Sequence, residues 1–288
     1  MLRFFYFSEM KTQWQIRDEI LDFAVSDENI RAVLLEGSRA NPNAVPDEYQ
    51  DYDVVFVVSN FEKFISDGSW TERFGEKLIE QHPETFTHGE KTEHFFSYLI
   101  IYREGFRIDF SVIPVAKLDL FKESLRKVWL DKDGLFEGIE ESSDQKYWIR
   151  KPDEKWFLEV CNEFWWVSTY VAKGLKRNEI PYAMKHLEEI LRPSLMQMLD
   201  WKIGTEHDFK VSAGKSGKFY PKYLGAEKYE QFLKTYVEAK PEEIWNVLFL
   251  MSDMFSETAK NVAERLAFRY NAEEENSVVD YLKDLREK

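Results

Sequence analysis

The sequence predicts an α+β protein, with an N-terminal domain built on a mixed β-sheet with helices on one side, followed by an α-helical C-terminal domain. Three observations predict it. Up to about residue 150, short apolar runs with strand composition alternate with helical patterns. Beyond that point the chain turns to long helical patterns with almost no β-branched runs. Finally, 288 residues that are 44% apolar and 16% aromatic suffice for two cores. The domains are accordingly placed at residues 1–150 and 151–288.

The first nine residues, MLRFFYFSE, lack the longer apolar core and cleavage site of a secretory signal and read as an extension. A second Met at Met10 is the alternative start, and a short strand or packed tail is the other reading of Phe4 to Phe7. From Gln13 to Val25, residues Ile16, Ile20, Leu21, Phe23 and Ala24 fall at helical spacing. Ile30 to Leu35 is a short apolar strand that stops at Gly37-Ser38. Arg39 to Gln50, with two prolines, reads as a loop with room for one helical turn. Tyr52 to Val58 is the strongest strand signal in the chain, and Trp70 to Ile79 has helical spacing. Phe95 to Tyr102 and Phe106 to Ile113 read as two strands joined by a hairpin connection, closed by Pro114.

In the second half, Lys155 to Lys176 and Tyr182 to Lys202 read as buried helices, the second kinked or broken at Pro193. Residues 205–221 read as a loop, Glu227 to Val237 and Glu242 to Tyr270 as helices, and the polar end after Asn271 as frayed. No segment approaches eighteen consecutive apolar residues, which excludes a membrane-spanning helix. The single cysteine, Cys161, excludes an internal disulfide and a Cys-rich zinc site. It reads as a buried inert thiol in a reducing, cytoplasmic compartment.

With 39 basic against 53 acidic residues, the formal charge is −14, which disfavours a nucleic-acid partner and favours a polycationic one. The residues that could carry chemistry form one constellation: Gly37-Ser38 after the first strand, Asp51-Tyr52-Asp53 at the start of the next, and Asp109 within a later apolar strand. Residues two apart on a strand share a face, so Asp51 and Asp53 project together, and paired hard carboxylates suit magnesium. The bland alternative makes Asp51 a turn residue, Asp53 a solvent-facing residue of an edge strand, and Asp109 an ion-pair partner of Arg103 or Arg107. The loop Ser212-Ala-Gly-Lys-Ser-Gly-Lys218 lacks the spacing of a P-loop, although Lys215 or Lys218 could still reach a phosphate from the side.

The order apolar-Gly-Ser, Asp-x-Asp, strand acid resembles the polymerase-β-like nucleotidyltransferases, and here it reads Leu35-Glu36-Gly37-Ser38-Arg39, Asp51-Tyr52-Asp53 and Ile108-Asp109-Phe110. A longer resemblance runs from about residue 10 to 270. The stretches IRAVLLEGSRANPN, YQDYDVVFVV, RIDFSVIP, LDKDG, YWIRKP, CNEFWWVSTYVAKGLKRNE and HLEEILRP are similar to the aminoglycoside 6-adenylyltransferases, which modify streptomycin.

That resemblance implies a nucleotidyltransferase domain at 1–150 and a helical acceptor-binding domain at 151–288. The implied reaction is magnesium-dependent transfer of AMP from ATP to the 6-hydroxyl of streptomycin, or to another small-molecule or protein acceptor. A catalytically silent binding module is the remaining alternative. Gly37 and Ser38 would meet the triphosphate, and Asp51 and Asp53 would hold magnesium. Asp109 would bind a second magnesium or act as the base. Arg39 and Lys173 are the candidate phosphate contacts, because each adds positive charge where a leaving pyrophosphate needs it, with an ordinary surface salt bridge as the alternative. A cationic aminoglycoside needs carboxylates and aromatic faces, for which Glu163, Trp166 and Tyr170 are chosen, with Trp165, Glu188 and Glu189 on the same helices. His186 reads as a packed histidine. The expected assembly is a monomer or homodimer.

Overall fold

Residues 11–88 and 94–288 are described in a computed structural model, and the chain divides into two units between Lys146 and Tyr147. The readings of residues 1–9 and Met10 lie outside the described residues. In the first unit, α1 (Gln13–Ser26) opens on a capping box in which the Thr12 hydroxyl accepts from Gln15 N–H and the Gln15 side chain accepts from Thr12 N–H. It buries Ile16, Ile20, Phe23 and Ala24. Strand β1 (Ile30–Glu36) runs directly into one helical turn, α2 (Gly37–Ala40), and β2 (Tyr52–Val58) follows the Pro-containing loop.

After the short helix α3 (Phe61–Ser66), the helix expected at Trp70–Ile79 does not form. A 3-10 stretch at Gly68–Phe74 gives way to strand β3 (Lys77–Gln81). Gly75 separates the two at φ +151°, and a Cβ there would lie 2.9 Å from Glu104 Oε2. The apolar spacing that suggested a helix still serves packing, because Trp70 and Phe74 both join the aromatic cluster with Phe23 and Phe110. Strands β4 (Phe96–Tyr102) and β5 (Arg107–Pro114) form the expected hairpin, and β6 (Arg126–Asp131) completes the sheet.

The sheet order is β3-β4-β5-β2-β1-β6, and only β2 and β5 run parallel. The sheet is therefore mixed. One face, carrying Val33, Val54, Phe56 and Phe110, packs under α1, α3 and the 3-10 stretch. Each such fully buried side chain contributes about 1.5–3 kcal/mol. The opposite face, carrying Leu34, Val55, Val57 and Ile113, is covered by Phe136 and the apolar residues of the connections flanking β6.

The second unit is helical. Asp153 caps α4 (Glu154–Lys176), whose buried stripe includes Phe157, Cys161, Phe164, Trp165 and Val171. The expected helix at Tyr182–Lys202 is continuous, without the break at Pro193. α5 (Ile180–His186) passes through a π turn at Leu187–Leu191 into α6 (Arg192–Glu206). The wider turn lies immediately before Pro193, so the helix runs on through a residue whose ring cannot donate to the preceding turn. Within residues 205–221 lie a 3-10 turn at Lys215–Gly217 and the start of α7 (Tyr220–Tyr223). α8 (Ala226–Leu233) and α9 (Pro241–Leu266) follow, α9 ending at Ala267 in the left-handed conformation.

The end after Asn271 is not frayed. It forms α10 (Ala272–Glu287), capped by Asn271, with Leu282 fully buried and Glu275 tied to Ser256 and Lys260. Cys161 is buried, and burial pushes its thiol up to about 12, as expected of an unreactive cysteine. Among the described residues, no helix is long and apolar enough to cross a membrane.

Candidate active site

The register of the sheet sets four charged residues side by side. Arg126 on β6 pairs with Glu36 on β1, Glu36 with Asp53 on β2, and Asp53 with Asp109 on β5. Paired positions on neighbouring strands share a face, so Glu36, Asp53 and Asp109 stand in one row. Asp51, two residues before Asp53, is on the same side. This is the face whose apolar half packs against Phe136. Asp53 therefore belongs to a central strand, not to a solvent-facing edge.

Four acids so close together resist full ionisation. Burial, then the charges of Asp109 and Asp51, push the Asp53 carboxyl up to about 6. Burial also raises Asp51, opposed by Arg107. The largest displacement is at Glu36, which burial, then Glu123 and Asp53, push up to about 8. Its Oε1 is buried with no hydrogen-bond partner. Glu36 escaped the sequence reading because a lone Glu at a strand end looks like ordinary surface. Its spacing from Gly37-Ser38 was the only signal that could have found it.

Arg107 is the cation that the row faces. Its Nε and Nη2 donate to Oδ1 and Oδ2 of Asp109 at 2.7 and 2.6 Å, and its Nη1 lies 3.5 Å from Asp51 Oδ2. The ion pair between Asp109 and Arg107, one of the three parts of the bland alternative, is thus present. Among the described residues, no three acidic, His or Cys side chains form a ready metal cage in this arrangement. The donor set nevertheless fits a hard divalent ion in kind: all its atoms are carboxylate oxygens, and burial and the charges of Asp109 and Asp51, which together raise the Asp53 carboxyl, are what a bound cation would oppose.

Gly37 sits directly against this row. Its φ is +63°, and a Cβ built on it would lie 2.1 Å from Asp53 Oδ2. Only glycine combines that backbone with that approach. Gly37→Ala is expected to lose at least ~1–2 kcal/mol of stability from the backbone alone, with the clash adding to it. In a double-mutant cycle with Asp53→Ala by urea unfolding, the clash component should vanish, leaving a non-additive pair. Strict additivity would show that the two residues do not touch.

Ser38 follows on the α2 turn. Arg39 is a clamp on the backbone. Its Nε and Nη2 donate to the carbonyls of Gln50 and Asp51 at 2.7–3.2 Å, and its guanidinium stacks 3.9 Å from the Tyr52 ring centroid. It thereby fixes the approach of the loop to Asp51, while its charge acts to lower Asp51 and Asp53. A cavity of about 480 Å3 opens beside it, lined by Lys11, Tyr49, Asp51, Phe106 and Arg107.

The remaining candidates belong to the second unit. Glu163, Trp166 and Tyr170 follow an i, i+3, i+7 spacing on α4 and so share one stripe. Trp166 is 59% exposed and its Nε1 donates to the Tyr170 hydroxyl at 2.8 Å. Tyr170 meets His186 edge to face, and His186 Nδ1 is 2.8 Å from the Tyr182 carbonyl, so this histidine is packed as expected. Trp165, in contrast, is buried in the core, and Glu188 pairs with Arg192. Lys173 is half-buried, 6.0 Å from the Tyr281 ring centroid.

Comparison with known proteins adds to this geometry. Residues 10–285 match the family model described as streptomycin adenylyltransferase. An aminoglycoside 6-adenylyltransferase of Bacillus subtilis is 39% identical over 265 residues, covering 91% of this chain and 93% of that one. A Staphylococcus aureus protein of the same name is 38% identical over 231 residues, covering 79% and 82% respectively. The crystal structure of an aminoglycoside 6-adenyltransferase from Bacillus subtilis shares 34% identity over 96% of this chain and 99% of that chain, with a TM-score of 0.48.

Proposed function

The chain belongs to the streptomycin adenylyltransferase family and is a nucleotidyltransferase, and from that premise we propose that it transfers AMP from ATP to the 6-hydroxyl of streptomycin in the cytoplasm. The observation that carries the reading is the carboxylate row of Asp53 and Asp109, joined by Asp51 and pressed against Gly37. Asp51, Asp53 and Asp109 would hold magnesium. When bound, the ion would neutralise phosphate charge and favour departure of pyrophosphate.

The chain's own residues do the rest. Gly37, which has no Cβ, leaves the backbone of the turn open to a phosphate, and the Ser38 hydroxyl would donate to a phosphate oxygen. Arg39 holds the loop that presents Asp51. A carboxylate of the row takes the proton of the attacking hydroxyl as the new phosphoester bond forms. Arg107, drawn to Asp109 and Asp51 in this structure, supplies compensating charge to both. On α4, the acid and aromatic faces of Glu163, Trp166 and Tyr170 are suited to a guanidinium-bearing acceptor, and Lys173 to a phosphate.

Mass spectrometry of streptomycin incubated with the purified protein, ATP and magnesium tests the reading. An added AMP mass that disappears in Asp53→Asn supports it. Pyrophosphate release only with a different acceptor refutes the substrate assignment. No release with any aminoglycoside refutes the reading. Glu163→Gln is expected to raise the KM for the acceptor about tenfold with kcat little changed, because it removes a charge-assisted contact made equally in ground and transition states. A fall in kcat at constant KM would instead assign Glu163 to the chemistry.

A further inference from the structure

The carboxylate row runs on across the whole sheet, and its two ends differ. Beyond Asp109 it continues through Leu99 on β4 to Gln81 on β3, neither of them charged. Beyond Glu36, in the other direction, it finishes on Arg126, the first residue of β6. A row polarised in this way has a preferred side for each reactant. An anionic leaving group belongs toward β6, and a polycationic acceptor toward β4.

The other cations around the turn are already engaged. Arg39 holds the carbonyls of Gln50 and Asp51, and Arg107 is forked onto Asp109. Lys127, opposite Leu35 and so on the other face of the sheet, donates to the Arg39 carbonyl at 3.2 Å. Lys146 donates to the Lys122 carbonyl at 2.5 Å. Arg126 is half-buried and makes no hydrogen bond or ion pair among the described residues. Its guanidinium lies 6.0 Å from the ring centroid of Phe136, on the face of the row, and its charge acts to lower the Glu36 carboxyl. Paired residues of antiparallel strands have Cα atoms about 5 Å apart, and Gly37 directly follows Glu36, so a phosphate at the turn is within reach of the Arg126 fork.

We propose that Arg126 is a catalytic residue that holds the two terminal phosphates of the donor and the pyrophosphate they become. The inference rests on the transfer reading and adds a residue to it. As the acceptor oxygen bonds to the α-phosphorus, the bond from that phosphorus to the bridging oxygen breaks. Its electron pair leaves on pyrophosphate, and the hydroxyl proton passes to the carboxylate row. A permanently charged fork of N–H donors opposes the charge that leaves.

Isothermal titration of the full chain with magnesium pyrophosphate tests the assignment apart from turnover. The wild type is expected to bind, Arg126→Ala to bind at least about tenfold more weakly, and Arg126→Lys to fall between them. In steady-state assays Arg126→Ala should lower kcat about 10²-fold and leave the KM of the aminoglycoside within about twofold. Thermal melts of the variants should coincide with the wild type, and if the alanine variant fails to fold, Arg126→Gln takes its place in both measurements. Absence of pyrophosphate binding by the wild type, or equal binding by wild type and Arg126→Ala, overturns the proposal. So does a raised aminoglycoside KM with pyrophosphate affinity unchanged, which would put Arg126 on the acceptor side. Adenylylation of an aminoglycoside with pyrophosphate affinity indifferent to residue 126 defeats this inference alone. Pyrophosphate binding that depends on Arg126, without adenylylation of any aminoglycoside, defeats the acceptor reading and keeps this one.

Discussion

Asp53→Asn is expected to lower kcat for adenylyl transfer by at least about 10²–10³-fold, the range seen when one preorganised electrostatic partner of a reacting group is removed. The same change is expected to make the metal-free protein more stable at neutral pH. The sign follows from the direction in which Asp53 is displaced. Its carboxyl is raised from 3.8 to about 6 in the folded chain, so folding favours the neutral form. The associated stability is fully present below the unfolded value and is lost as pH rises through about 6. That rise corresponds to about 3 kcal/mol at 1.36 kcal/mol per pH unit. Asn stays neutral throughout. Thermal melts in EDTA should therefore coincide near pH 4 and separate above pH 6, with the variant melting higher. Loss of transfer accompanied by loss of stability would mean that the substitution damages the fold.

Much of this site is legible in the sequence because it lies at the centre of the sheet. β2 and β5 are buried strands, and their apolar runs make Asp53 and Asp109 stand out as interruptions. The two-residue period then places Asp51 beside Asp53. What the sequence hides is at the margins. β3 and β6 are the two edge strands of the sheet, and both carry charges of the kind that protect an edge, so neither reads as an apolar run. On α10 only Leu282 and Glu275 are buried, while Val278, Val279 and Leu285 pack partly buried among many charged residues, so in sequence the segment reads as a polar tail. Glu36 is hidden for a different reason. Strand register brings Asp53 and Arg126 beside it, and the connection before β6 adds Glu123.

Glu36→Gln should therefore produce the largest stability change of any single substitution in the site. Burial raises this carboxyl from 4.5 to about 8, and Oε1 has no hydrogen-bond donor to offset it. Below about pH 4.5 Glu36 is neutral whether the chain is folded or not, and it favours the fold relative to its ionised form. As pH rises through 8, the folded chain must ionise a buried acid beside Asp53 and Glu123, and that stability is lost. The rise corresponds to about 5 kcal/mol as an upper bound, since solvent and side-chain relaxation around the group reduce it. Urea unfolding in EDTA should show the two proteins equally stable at pH 4 and Glu36→Gln more stable by a few kcal/mol at pH 8.5. Magnesium should narrow the gap at pH 8.5, because a cation on the neighbouring carboxylates lowers the cost of ionising Glu36. Parallel stability curves from pH 4 to 8.5 would place the Glu36 charge in solvent and remove it from the row. A gap that magnesium leaves untouched would separate Glu36 from the metal site while keeping it buried.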